Sequence, residues 1–258
     1  MRQWAPIRDP LSPMLIGYFR LLELTYDMAR KLEVSTQKQA ECPQWHELRY
    51  PRLTASTFGN ICSKMERSRA KPELVAKNLL QPKPHTAFPE RILKWGRENE
   101  NVAIQVYKGL PERNHVLVYE CGIYKSPEDP YLAATPDRVC YDPREKNPWG
   151  IIEVKCPFKA RDMTPTEASK QLNNFMSTIK GSALDLSTSH DYYLQIQGQM
   201  ALTGVTWCDF VIYTKKGLSV QRIRFDEKFW QSKSRLLSSF FVQYFLPKYV
   251  ELKEHLQR

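Results

Sequence analysis

Two short stretches do most to limit what this chain can fold into. Thr135-Pro136-Asp137-Arg138 is followed, sixteen residues beyond its aspartate, by Glu153 in the run Gly150-Ile151-Ile152-Glu153-Val154-Lys155-Cys156, which Pro157 ends. The run is apolar and largely β-branched apart from two charges, so it reads as a short buried strand. Alternation places Glu153 and Lys155 on one face with Ile151, and Ile152, Val154 and Cys156 on the other. Two charges on one face of such a strand are unfavourable unless they are paired or hold a metal. An edge strand with a solvated Glu/Lys face would account for the run alone. Asp137, arriving from an adjacent strand, favours convergence of three polar groups instead.

That set of groups suits one kind of chemistry. Mg²⁺ takes hard oxygen ligands in octahedral geometry and keeps several waters. Asp137 and Glu153 supply carboxylate oxygens, and the Val154 carbonyl lies within reach of the same ion. A bound metal lowers the pKa of water enough to attack a phosphodiester near neutral pH. Lys155 would orient that water and offset charge on the phosphate. The expectation is a metal-dependent nuclease.

The 258 residues fit one large domain, or a domain with a helical extension. The net charge of +10 favours polyanionic partners through steering and counterion release, although a merely basic soluble protein would carry it too. Six cysteines, at 42, 62, 121, 140, 156 and 208, form no CxxC pair and lack a nearby histidine for a zinc pattern. They suggest a reducing, intracellular compartment. Asp9 and two prolines within the first ten residues read as no signal peptide. The apolar stretch from Met14 to Val34 is broken by Arg20, Glu23 and Asp27, so no membrane span is expected.

Helical spacing predicts one amphipathic helix over Met14–Leu32, a helix opened by Thr54-Ala55-Ser56 and running to about Lys64, and a long helix over Glu90–Lys108. Met65–Pro72 reads as a mainly basic loop carrying Arg67, Arg69 and Lys71, and Pro82–Pro89 as an exposed proline-rich segment. Strands are expected over Val116–Tyr124, Tyr131–Ala134, Arg138–Tyr141, Gly150–Cys156, Cys208–Tyr213 and Ser219–Phe225. Phe158–Ser189 reads as mixed, with a short helix near Thr166–Lys170; helices are predicted over Tyr192–Leu202 and Asp226–Leu246. The fold class is therefore α/β, a central mixed sheet flanked by helices. Residues 1–43 form an N-terminal helical extension to a domain over 44–258.

Five ordered blocks, over roughly residues 44 to 225, resemble the phage lambda exonuclease and YqaJ-like viral recombinase family of PD-(D/E)xK nucleases. They are Gln44-Trp45-His46-Glu47-Leu48-Arg49 with Leu53-Thr54-Ala55-Ser56; Trp95-Gly96-Arg97 with Glu100-Asn101; Thr135-Pro136-Asp137; Glu153-Val154-Lys155-Cys156-Pro157-Phe158 with Arg161-Asp162; and Tyr192 with Gln195-Ile196-Gln197. The chain departs from the family pattern at Arg138, where glycine often follows the aspartate, and the loop from Asp137 to Glu153 looks longer than in the phage enzyme.

The resemblance implies a restriction-endonuclease-like core with Glu100, Asp137 and Glu153 as metal ligands, Glu98 being a rival for Glu100 on spacing alone. It implies that Lys155 positions water and that Gln195 touches the phosphate or water. Arg49, Ser56 and Thr135 would form a pocket for a terminal 5′-phosphate, with Arg161, Tyr192 and Gln197 also on the DNA. Taken singly, Arg49 could be a surface ion pair, Ser56 a helix cap, and Gln195 and Gln197 a polar helix face. Trp45, Trp95 and Tyr192 could stack on bases or belong to the core. Lys159 is a further phosphate candidate.

The expected activity is Mg²⁺-dependent, with Mn²⁺ substituting and two ions bound. It is a 5′→3′ exonuclease on double-stranded DNA ends, releasing 5′-mononucleotides in recombination or end processing. An endonuclease on DNA or RNA, or an inactive DNA-binding recombination module, are the alternatives. Family members of this kind can form a ring trimer that threads DNA, so a homotrimer and a single-strand annealing protein are partners the resemblance suggests.

Overall fold

The computed structural model describes residues 12–67, 71–81, 87–181 and 183–257. Residues 1–11, Arg69 of the basic loop and residues 82–86 of the proline-rich segment lie outside the described residues. In chain order the elements are α1 Pro13–Arg20, α2 Tyr26–Ser35, α3 Pro43–Arg49, β1 Leu53–Thr54, α4 Ala55–Met65, α5 Pro72–Leu80, α6 Ala87–Lys108, β2 Leu117–Tyr119, β3 Tyr124–Lys125, β4 Leu132–Ala134, β5 Arg138–Tyr141 and β6 Trp149–Lys155. There follow α7 Pro165–Gln171, β7 Ser177–Lys180, β8 Ala183–Leu186, α8 Asp191–Thr203, β9 Trp207–Thr214, β10 Gly217–Arg224, α9 Glu227–Phe240 and α10 Leu246–Gln257.

The central sheet has five strands in the order β10-β9-β6-β5-β2, antiparallel except for the parallel pair β6–β9. A second sheet, β1-β4-β3, pairs β1 parallel to β4 with Thr54 opposite Ala133. The chain crosses from the second sheet into the central one at Thr135-Pro136-Asp137, between β4 and β5.

The two faces of β6 divide as alternation requires. Ile151 packs with Ile196, Met200, Phe210 and Ile212 on the α8 side. Ile152 and Val154 pack with Ala103, Ile104, Tyr107 and Trp207 on the α6 side. Helix α8 lies between two cores, so its buried residues face both ways: Leu194 joins the cluster around Phe58 and Trp230, while Ile196 and Met200 face the sheet. It can sit that close to α4 because of Gly198, where an added Cβ would lie 2.6 Å from the Phe58 ring.

Several sequence expectations give way. The predicted helix over Met14–Leu32 is two helices, because Thr25 caps α2 by accepting from the Met28 N–H at 3.2 Å. The strand expected over Val116–Tyr124 divides into β2 and β3, which join different sheets. Helix α5 and the β7–β8 hairpin had no sequence counterpart. The helix expected over Asp226–Leu246 passes through a π turn at Phe241–Phe245 and continues as α10. No helix among the described residues is long and apolar enough to cross a membrane.

Candidate active site

The site forms where the inter-sheet turn meets the C-terminal half of β6. The β5–β6 ladder stops at the pair Arg138–Ile152. Beyond it the Asp137 side chain takes the ladder's place: Oδ2 accepts from the Val154 N–H at 2.6 Å. The Val154 contact therefore runs through its N–H, and its side chain is in the core. Burial, and then the charges of Glu153 and Glu100, push the Asp137 carboxyl well above the ordinary range.

Glu153 is 2% exposed and fully engaged. Its Oε1 accepts from Lys155 Nζ at 2.6 Å and Gln195 Nε2 at 2.5 Å, and its Oε2 accepts from Gln199 Nε2 at 2.7 Å. Burial pulls the Lys155 ammonium down, but Glu153 and Asp137 outweigh it and raise its pKa. Lys155 Nζ also sits 4.4 Å from the centre of the Tyr192 ring, which brings Tyr192 to the site. Cys156, one residue on, has its thiol pushed up to about 12 by burial and then by the Asp137 and Glu100 charges.

Glu100 enters from α6. Its Oε1 pairs with Arg138 Nη1 at 3.1 Å, and Arg138 also donates to Asn101 and to the Asp137 carbonyl. Burial raises the Glu100 carboxyl, Arg138 opposes the shift, and Glu153 adds to it. Glu98 is on the solvent side, paired with Lys94 at 3.7 Å. The two glutamates differ in place: Glu100 lies beside Arg138 and feels the Glu153 charge, and Glu98 faces solvent.

Gln199 was missed by the sequence reading, and Gln197 was misplaced by it. Gln197 is fully buried on the far side of α8, where its Nε2 donates to the Arg224 carbonyl and its Oε1 accepts from the Asp226 N–H. Its amide is bonded to backbone in the interior, away from Glu153 and Lys155. The usable signal was the spacing of four between Gln195 and Gln199, which keeps both on one face of a helix, whereas a spacing of two does not.

Two of the expected phosphate-pocket residues, Arg49 and Thr135, contact Trp45. Its Nε1 donates to Thr135 Oγ1 at 3.1 Å, and the Arg49 guanidinium stacks 4.2 Å from its ring centre. Burial lowers the Arg49 pKa, and no carboxylate pairs with it among the described residues. Ser56 is exposed in the first turn of α4, its Oγ 3.3 Å from Thr54 Oγ1. Since β1 and β4 run parallel with Thr54 opposite Ala133, Ser56 and Thr135 leave the same end of that sheet. Trp95 is half-buried against Phe158. Arg161 stacks on Phe158 and pairs with Asp162 at 3.2 Å, on the turn after β6 rather than among the carboxylates.

The donor set suits a hard dication: three carboxylates feel one another's charge, and two of them have raised pKa values. Among the described residues no three His, Cys, Asp or Glu side chains crowd one point closely enough to ligate an ion as they stand. Lys155 and Arg138 hold Glu153 and Glu100 instead.

The chain is similar to several known proteins. An alkaline nuclease of Autographa californica nuclear polyhedrosis virus is 26% identical over 211 residues, 77% of this chain and 47% of that protein. The chain spans half or less of the length of the curated relatives it matches. An alkaline exonuclease from Laribacter hongkongensis superposes with a TM-score of 0.56 at 23% identity, covering 84% of this chain and 98% of that one. The shutoff and exonuclease protein of Kaposi's sarcoma-associated herpesvirus superposes at 0.55 with 11% identity, covering 86% and 73%. The fold is thus the α/β core, a mixed sheet flanked by helices, that these exonucleases share and that the sequence led one to expect. The YqaJ-like viral recombinase domain pattern matches residues 44–206, taking in Trp45, Glu100, the Thr135–Asp137 turn, β6 and α8, and the chain belongs to that family.

Proposed function

We propose that the chain is a divalent-metal-dependent deoxyribonuclease that digests one strand of duplex DNA 5′→3′ from an end, releasing 5′-mononucleotides during recombination or end processing. Glu100, Asp137 and Glu153 would hold Mg²⁺, or Mn²⁺ in its place, as a pair of ions, with the Val154 carbonyl a further candidate ligand. When bound, such ions acidify water and neutralise charge building on the phosphate. Lys155 orients the attacking water and faces the phosphate, while Gln195 steadies Glu153 and meets the same water or phosphate. Tyr192 and Arg161 flank the strand.

The observation that carries the exonuclease reading is Arg49. A half-buried guanidinium stacked on Trp45, with no acidic partner among the described residues, suits a bound anion. Trp45 ties it to Thr135, two residues before Asp137. A terminal phosphate held there by Arg49, Ser56 and Thr135 would set the register of the next bond over the carboxylates.

Digestion of linear 5′-phosphorylated, linear 5′-hydroxyl and closed circular DNA, with and without Mg²⁺, tests this. Metal-dependent loss of the linear phosphorylated duplex first, with the circle intact, is expected. Nicking of the circle would give the site to an endonuclease, and no metal-stimulated cleavage of any substrate would make it an inactive binding module.

A further inference from the structure

The segment that precedes the family-matched region reaches into the site. Thr135-Pro136-Asp137 leaves one sheet and has not yet entered the next, so its backbone lacks ladder partners. Side chains supply them. Gln199 Nε2 lies 3.4 Å from the Thr135 carbonyl, and Cys121 Sγ lies 3.2 Å from the Pro136 carbonyl. The third comes from outside residues 44–206: Gln39 Nε2 donates to the Pro136 carbonyl at 3.1 Å and to the Cys121 carbonyl at 2.9 Å.

Gln39 acts within a row. Glu33, Thr36 and Gln39 recur every three residues at the end of α2 and just past it. Glu33 Oε1 accepts from the Gly122 N–H at 2.8 Å, and Thr36 Oγ1 accepts from the Ile123 N–H at 2.9 Å. All three grip the segment 121–123, and only Gln39 also grips the turn. Gly122 permits the approach, since a Cβ there would fall 2.0 Å from the Glu33 carbonyl oxygen. Gln39 itself has φ +46°, a left-handed conformation that a residue with a Cβ keeps only where its contacts hold it.

We infer that Gln39 is a positioning residue for the proposed metal site, fixing the peptide before Asp137 and hence the direction of that carboxylate. Catalytic carboxylates need to be held within a fraction of an ångström, and a ligand supported by a neighbour's hydrogen bond commonly gains about tenfold to a hundredfold in metal affinity or activity. This inference rests on the nuclease reading, but its direct readout is metal binding rather than cleavage.

The experiment compares full-length wild type, Gln39→Met and the double variant Glu33→Gln/Thr36→Val. Mn²⁺ affinity is measured by calorimetry, thermal midpoint by unfolding, and kcat and KM on 5′-phosphorylated duplex. Gln39→Met should weaken Mn²⁺ binding about tenfold and lower kcat by a similar factor with KM unchanged. The double variant should lower the midpoint yet keep Mn²⁺ affinity within about twofold of wild type, because its bonds stop at segment 121–123. Gln39→Asn, with the amide but a shorter reach, should fall between, and it carries the test should Gln39→Met not fold. Equal Mn²⁺ affinity in wild type and the Gln39 variants overturns the inference, as does an equal loss in the double variant, which would make the row a general strut. Wild type that binds Mn²⁺ but cleaves nothing would sink the nuclease reading while leaving the binding comparison decisive.

Discussion

Gln199, fully buried one turn beyond Gln195 on α8, donates to the oxygen of Glu153 that Gln195 leaves free, at 2.7 Å. A carboxylate only accepts, so the amide must present its NH₂ there, and the Gln199 Oε1 is left without a donor among the described residues. That orphan acceptor is the cost of holding Glu153 from both sides. Gln199→Leu should lower kcat about tenfold or more through a misdirected carboxylate. Gln197→Leu, which strips the Arg224 and Asp226 backbone contacts, should instead destabilise by about 1–3 kcal/mol and leave kcat near wild type. Steady-state kinetics with denaturant unfolding on both variants checks the contrast; undiminished kcat in folded Gln199→Leu removes the assignment.

Lys155→Ala and Asp137→Ala should each reduce cleavage by about a hundredfold or more while the chain remains folded. Lys155 is the cation held nearest Glu153, and Asp137 is the carboxylate that closes the end of the ladder. Circular dichroism establishes folding and single-turnover rates the chemistry. Near-normal turnover in either folded variant contradicts the placement of the reacting phosphate.

Asp137 also makes a statement about stability. Its proton is held more tightly in the fold than in the unfolded chain, through burial and the neighbouring Glu153 and Glu100. Between the ordinary carboxyl value, about 4, and the raised folded one, the native state binds more protons, so stability falls as pH rises through that window. Asp137→Asn keeps an oxygen for the Val154 N–H but removes the charge. Without metal its thermal midpoint should exceed wild type at neutral pH, with the gap shrinking toward acid. Mg²⁺ should then raise the wild-type midpoint more than that of Asp137→Asn. A midpoint for the variant at or below wild type at neutral pH would contradict the repulsion.

A second buried charge group stabilises the sheet on its α6 face. Asp209 on β9 is fully buried, with Arg222 of β10 bonded to both its oxygens at 2.8 Å and Tyr107 of α6 donating at 2.6 Å. Arg222 also reaches Asp142 at 2.6 Å and Glu145 at 2.8 Å. Removing one member of such a group strands the others in a poorly solvating interior. Arg222→Met should therefore destabilise by about 3–5 kcal/mol, read by urea unfolding, with Mg²⁺ affinity unchanged in the folded fraction. A loss under about 1 kcal/mol would show that water reaches Asp209.

Local spacing revealed what depends on local spacing. The alternation of Ile151 to Cys156 gave the two faces of β6 correctly, because strand geometry leaves no other choice. The helix over 90–108 was legible, but choosing Glu100 over Glu98 needed the family pattern, since both border its apolar face. The hairpin β7–β8 escaped because Thr178, Ile179 and Lys180 are exposed and carry no alternation. The Gln39 contacts with Cys121 and Pro136 span 82 and 97 residues, and nothing in the neighbourhood of either end announces them. Gln199 was within reach of the sequence; the Q-x-Q spacing drew attention to the wrong side of the helix.

The 5′ end offers the sharpest test. Arg49 is half-buried against Trp45 with no acidic partner among the described residues, and Trp45 is bonded to Thr135. If a terminal phosphate fills this place, Arg49→Ala should slow digestion of 5′-phosphorylated duplex strongly and barely affect 5′-hydroxyl duplex, which already lacks the partner. Arg49→Lys should restore only part of the rate, because an ammonium offers neither the fork nor the flat face that stacks on Trp45. Initial rates for wild type and both variants on the two substrates decide it. An equal fold-loss on both would assign Arg49 to packing or general DNA binding. The exonucleolytic register would then lose its residue-level basis, and the same carboxylate core would fit an endonuclease better.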